Sequence, residues 1–139
     1  MSVKSWSVGG VSVAKNLVGD PHIAEIGYWV SDKYWGRGLA TAALRATTAY
    51  VFSDSCPLGI ERLEAYPRVD NEASIRVLER SGYTCEGRLR SHNRHRWDGR
   101  LRDVYLFSFI RDDLHKLGER RDGFELDGRA EQMREGGVP

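Results

Sequence analysis
A strand-like run, a glycine-rich step and a helix-like run follow one another between Ile23 and Phe52, and this order limits the folds open to the chain. Ile23-Ala24-Glu25-Ile26-Gly27-Tyr28-Trp29-Val30 is rich in β-branched and aromatic residues, the composition of a strand. Gly27 in its middle predicts a bulge or a close backbone approach. Trp35-Gly36-Arg37-Gly38 breaks the run, and Leu39, Ala42, Ala43, Ala46 and Ala49 then recur at helical spacing up to Phe52. That spacing predicts an amphipathic helix with a small-residue face lying close against a sheet. Two glycines at a helix start leave backbone N–H groups unobstructed. Those groups and the positive end of the helix dipole suit an anion such as a pyrophosphate, with Arg37 adding charge at the rim. A glycine-rich turn with no ligand has the same local pattern. The spacing is not that of a dinucleotide-binding loop, and the absence of Gly-Lys-Ser/Thr excludes a Walker loop.

The rest of the chain supplies a sheet and one more helix. Trp6 to Ala14 alternates weakly and reads as a strand. Arg62 to Tyr66 is a short strand ended by Pro67, and Asp70 or Asn71 caps a helix over Glu72 to Arg80 that Gly82 closes. Tyr83 to Arg90 and Leu101 to Ile110 form a long hairpin around the Asp98-Gly99 turn signal. Asp112 to Lys116 has room for one helical turn. With 139 residues, the chain holds one domain, expected over 1–117, and residues 118–139 read as a disordered tail. The fold class is mixed α/β, a sheet covered by two helices.

Charge and composition narrow the function. The net charge is +1, which makes nucleic acid an unexpected partner for the chain as a whole. The distribution is uneven: Thr84 to Arg111 holds seven Arg against Glu86, Asp98 and Asp103, a net +4. No apolar stretch is long enough to span a membrane, and Met1 to Gly10 lacks the pattern of a secretory leader. A cytoplasmic protein is the expectation. Cys56 and Cys85 form no metal pattern and read as packing residues, and His92 and His95 have no further ligands near them in sequence, so no metal site is expected.

Three segments in order, Ala24 to Val30, Tyr34-Trp35-Gly36-Arg37-Gly38-Leu39-Ala40-Thr41, and Asp70-Asn71-Glu72-Ala73-Ser74 through Tyr83, resemble consecutive motifs of the GNAT N-acetyltransferases. The resemblance covers roughly residues 6 to 110 and is strongest to the group that includes ribosomal-protein N-terminal acetyltransferases. It implies a mostly antiparallel sheet with a central splay, flanked by helices, with acetyl-CoA as co-substrate. It also implies that the chain is N-terminally shortened, since relatives carry a further strand and helices before the segment equivalent to Trp6–Ala14. The first strand is then an edge, and a homodimer is an expected consequence.

The resemblance assigns roles residue by residue. The strand carrying Tyr28, Trp29 and Val30 gives main-chain groups to the pantetheine. One of Tyr28 and Trp29 lines the acceptor side and the other packs inward, because neighbours on a strand face opposite ways. Trp35, Gly36, Arg37, Gly38, Leu39, Ala40 and Thr41 wrap the pyrophosphate; a Trp at position 35 departs from the Gln or Arg of many members. Asn71 binds a pantetheine amide or simply caps its helix. Glu25 takes a proton from the acceptor amine, the alternative being a structural carboxylate. Ser74, one helical turn beyond Asn71, handles the leaving thiolate, the alternative being a surface serine. The expected reaction is acetyl transfer from acetyl-CoA to a primary amine, a small molecule or a protein N-terminus, by direct attack. A catalytically silent acyl-CoA-binding or interaction module is the competing expectation.

Overall fold
A computed structural model describes residues 8–118. Five strands form one sheet: β1 (Gly9–Lys15), β2 (Ile23–Val30), β3 (Arg62–Ala65), β4 (Thr84–Arg94) and β5 (Leu101–Ile110), in the order β1-β2-β3-β5-β4. Helix α1 (Leu39–Val51) joins β2 to β3, and α2 (Glu72–Arg80) joins β3 to β4. A 3-10 turn at Arg111–Asp113 and a short helix, α3 (His115–Gly118), follow β5 in place of the single turn expected over Asp112 to Lys116. The tail expected over 118–139 lies outside the described residues from 119 onward, as do Trp6 and Ser7 of the expected first strand.

All pairings are antiparallel except β2 with β3. That parallel pair matches Ile23 with Arg62, Ala24 with Leu63 and Glu25 with Glu64, and then stops. β2 runs on for five more residues, pairing with β1 through Val30. The sheet therefore splays at its centre, and the β3-facing edge of Ile26–Val30 has no strand against it. Gly27 sits in unbroken register with Ser12, so it makes no bulge; a Cβ there would stand 3.2 Å from the Ser12 hydroxyl, so the close approach is present.

Alternation along the strands builds the core on one face only. Ala24 and Ile26, Leu63 and Ala65, and Phe107 and Phe109 are buried in one cluster with Leu44, Val51 and Phe52 from α1 and its end and Ile75 and Leu78 from α2. Each of the larger side chains contributes about 1.5–3 kcal/mol by leaving water. Here α1 departs from the expected orientation. Its buried stripe is Thr41, Leu44, Thr48 and Val51, while Leu39, Ala42, Ala43, Ala46 and Ala49 face solvent. Alanine buries little apolar area and so does not decide which face turns inward. Leu44 and Val51 do, with Thr48, whose Oγ1 bonds the Leu44 carbonyl and the Tyr83 hydroxyl, each at 2.7 Å.

Candidate functional site
The loop before α1 is shaped by two backbone conformations. Gly36 has φ +77° and Gly38 φ +71°, where a side chain is strained. A Cβ on either would meet nothing within 4 Å, so both glycines look onto open space. Gly38 is the residue that caps α1, and it offers no side-chain bond. The first intrahelical bond is Ala42 N–H to the Gly38 carbonyl at 3.0 Å, so the amides of Leu39, Ala40 and Thr41 have no partner within the helix. Thr41 is buried and can contribute main chain only. Arg37 lies over the Tyr34 ring, 5.5 Å from its centre, which holds its charge beside the loop. The Trp35 indole donates to the Val30 carbonyl at 2.8 Å and ties the loop back to the end of β2.

The start of α2 is built differently. Asn71 Oδ1 accepts from the Ser74 N–H at 3.2 Å and caps the helix, as the plain-cap reading expected. Its Nδ2 donors are not used by that bond. Tyr28 reaches across from β2: its hydroxyl lies 2.7 Å from Ser74 Oγ and donates to the Ser74 carbonyl at 2.8 Å. Burial pushes the Tyr28 phenol up to about 12, the Ser74 bond opposing. Tyr28 is therefore the inward member of its pair, and Trp29, 54% exposed, is the outward one. The Tyr28–Ser74 contact spans 46 residues, and no local signal in the sequence announces it.

The other face of the sheet carries a polar group. Glu64 accepts from the Tyr66 hydroxyl at 2.9 Å and pairs with Arg62 at 2.9 Å; Arg62 also reaches Glu86 at 2.6 Å. Burial, then the Glu64 carboxylate, raises Tyr66 to about 12. Burial raises Glu86, but bonds from Ser108 and Arg62 outweigh it and hold this carboxyl low. Glu25, in register with Glu64, is exposed and makes no side-chain hydrogen bond or ion pair among the described residues. Glu25 and Ser74 thus stand on opposite faces, and the passage between those faces is the gap where β2 leaves β3.

These groups fit an acyl-coenzyme A. Free helix amides and Arg37 match a pyrophosphate, and the unpaired edge of β2 with the Asn71 amide matches a chain of amides. Beside the loop, a mostly apolar hollow of about 270 Å³ is lined by Gly9, Gly10, Trp29, Leu39 and Ala43 among others. No group of three or more His, Cys, Asp or Glu among the described residues could hold a metal ion. Tyr83 is a core residue whose phenol burial pushes up, and both cysteines are free thiols.

Known proteins resemble this chain in sequence and fold. Over 88 residues the chain is 36% identical to an uncharacterized N-acetyltransferase, p20, of Bacillus licheniformis, covering 63% of this chain and 47% of that one. It is 37% identical over 67 residues to the ribosomal-protein-serine acetyltransferase of Escherichia coli, covering 48% of this chain and 36% of that one. The chain thus spans about half or less of the curated relatives it matches. Among solved structures, RimJ of Mycobacterium smegmatis in complex with CoA-disulfide superposes with a TM-score of 0.69 at 30% identity, covering 84% of this chain and 56% of that one. The ribosomal-protein-S5-alanine acetyltransferase of Vibrio fischeri gives 0.65 at 27%, with 77% and 56% covered. The sequence model of the acetyltransferase (GNAT) domain matches residues 4–84, more than half of the chain, and this chain belongs to that family.

Proposed function
We propose that this chain binds acetyl-CoA across the splay of its sheet and transfers the acetyl group to a primary amine by direct attack. The observation that carries the reading is the uncapped, glycine-opened start of α1 beside the unpaired edge of β2. The amides of Leu39, Ala40 and Thr41, with Arg37, hold the pyrophosphate. The β2 edge from Ile26 to Val30 and the Asn71 amide hold the pantetheine. Acetyl-CoA supplies an activated thioester, and the protein supplies position and protons.

An ammonium has no lone pair, so the acceptor must lose a proton before it attacks. A protein α-amine ionises near 7.7–8.0 and a lysine near 10.4. Glu25, free of any structural partner among the described residues, takes that proton directly or through water. On the other side of the gap, Tyr28 and Ser74 form a hydroxyl pair able to donate to the departing thiolate, and the raised phenol pKa keeps Tyr28 protonated across the physiological range. The acceptor is a small-molecule amine or a protein N-terminus; the relatives named for ribosomal proteins favour the latter. Among the described residues no helix is long and apolar enough to cross a membrane. The relatives named for ribosomal proteins support a reading of action in the cytoplasm.

The test joins two measurements on the full chain: the thermal shift caused by acetyl-CoA, and CoA release with a panel of amines. A shift together with amine-dependent release supports the reading. A shift without release on any amine points to a silent acyl-CoA-binding module, which the short coverage of the relatives also allows. No shift overturns both. Glu25→Gln should keep the shift and lower turnover by about 10²-fold at neutral pH, with partial recovery at alkaline pH, where the ammonium loses its proton unaided. Wild-type rates over the whole pH range would remove Glu25 from the chemistry.

A further inference from the structure
The β4–β5 hairpin carries a charge pattern to which the proposed acetyl transfer assigns no role. Between Arg88 and Asp103 stand six arginines, and Asp98 and Asp103 are the only carboxylates in that stretch. Both are already engaged: Asp103 takes Arg88 at 2.7 Å, and Asp98 takes Arg102 at 2.7 Å. Arg90, Arg94, Arg96 and Arg100 are exposed, and among the described residues none lies within ion-pair distance of a carboxylate. Arg94 is anchored at the tip by a 2.7 Å bond to the Gly99 carbonyl. Trp97 stands among them and is 87% exposed. An indole this open contributes nothing to the core.

The hairpin is also shaped. Between Leu89 and Asn93 the register slips, Ser91 adopts φ +50°, and its N–H is held by Asp103 Oδ1 at 2.7 Å. The irregularity borders a shallow depression of about 680 Å³ lined by Arg88, Leu89, Arg90, Ser91, His92 and Asp103. A net charge of +1 for the whole chain conceals this concentration on one hairpin.

We propose that the hairpin tip is a docking surface for single-stranded nucleic acid, bound without regard to sequence. Trp97 stacks on a base, and Arg90, Arg94, Arg96 and Arg100 neutralise neighbouring phosphates. Interleaved guanidinium groups and an exposed aromatic ring match this ligand, because each nucleotide offers one anion and one flat face. An acidic peptide would satisfy the arginines but leave Trp97 without a partner.

The experiment is fluorescence anisotropy of labelled oligomers of about 12 nucleotides, oligo(U) and oligo(dT), with the full chain at about 50 to 200 mM salt. Binding to either is expected, and the tighter of the two identifies the source. Four phosphates neutralised on a single strand give a log–log salt slope of about −3. Arg94→Glu with Arg96→Glu and Arg100→Glu should abolish binding, and Trp97→Ala should weaken it about tenfold. Thermal melts check that each variant folds; Trp97→Ala and Arg96→Gln alone carry the test where the triple variant does not. No binding at the lowest salt, a flat salt dependence, or variants that bind like the parent would overturn the proposal. Equal binding of poly-glutamate, unaffected by Trp97→Ala, would overturn it in favour of an acidic protein partner.

Discussion
The two long helices of this molecule begin in opposite ways. α2 opens on Asn71, whose side chain accepts an amide of its own first turn. α1 opens on Gly38, in a left-handed conformation and with no side-chain cap. A polar cap is worth about 0.5–2 kcal/mol relative to alanine but only a few tenths relative to glycine, so the start of α1 gives up little stability by leaving its amides open. Both starts lie beside β2: Tyr28 bonds Ser74 in α2, and the Val30 carbonyl takes the Trp35 indole ahead of α1. The difference separates a helix end capped within the fold from one whose donors are left open.

The most severe way to break the contrast is to give α1 a cap of its own. Gly38→Asp places a carboxylate where the open amides point, and Asp tolerates the left-handed region better than most residues. Acetyl-CoA affinity should fall by about fivefold to a thousandfold, since a charge of the wrong sign at about 4 Å costs on the order of 1–4 kcal/mol. The fold should stay intact, with the melting temperature level or slightly lower, because a side chain at φ +71° is strained. An unchanged dissociation constant by calorimetry would remove the loop from the cofactor site.

At α2 the contrast is sharpened by a pair of variants. Asn71→Asp keeps the capping oxygen and removes the Nδ2 donors, so stability should be kept while acetyl-CoA binding weakens about tenfold, the worth of a bond or two. Asn71→Ala should lose both, with about 1 kcal/mol of stability and a melting temperature lower by about 3–5 °C. Equal acetyl-CoA affinity in Asn71→Asp and the parent would leave Asn71 as a cap alone.

The smallest effect is alkaline. Burial raises the phenols of Tyr28 and Tyr66 to about 12, whereas an unfolded tyrosine ionises near 10. The folded state holds these protons more tightly, so their contribution is whole below about pH 10 and is lost as the pH climbs from about 10 to about 12. Melting temperature should fall across that window, and less steeply in Tyr28→Phe. A parallel fall in the variant would show that Tyr28 is not a source of the drop.

Legibility in the sequence followed the range of the forces involved. β2 and α2 occupy the bounds expected, Ile23–Val30 and Glu72–Arg80, because β-branched content and a capping Asn are local signals. β4 runs to Arg94, beyond the expected Arg90, since the Asp103 carboxylate that holds the Ser91 amide comes from the opposite strand. The buried face of α1 differs from the expected one because alanine spacing says little when a threonine can be buried by a partner 35 residues away. For the loop residues Gly36 to Thr41, the expected open amides are present, while the resting place of Arg37 on Tyr34 had no signature in the spacing.

By itself the sequence determined the kinds and order of the main elements, the left-handed Gly82 after α2 and the polar start of α2, since propensity, capping and turn chemistry act over a few residues. Only the tertiary structure decided that β2 and β3 part after Glu25 and Glu64, that Tyr28 and not Trp29 turns inward to Ser74, and that Glu25 and Ser74 stand on opposite faces of one gap. Those outcomes depend on strand pairing and burial between segments dozens of residues apart. Such contacts are chosen by the packing of the whole sheet against two helices, and no local window contains both partners.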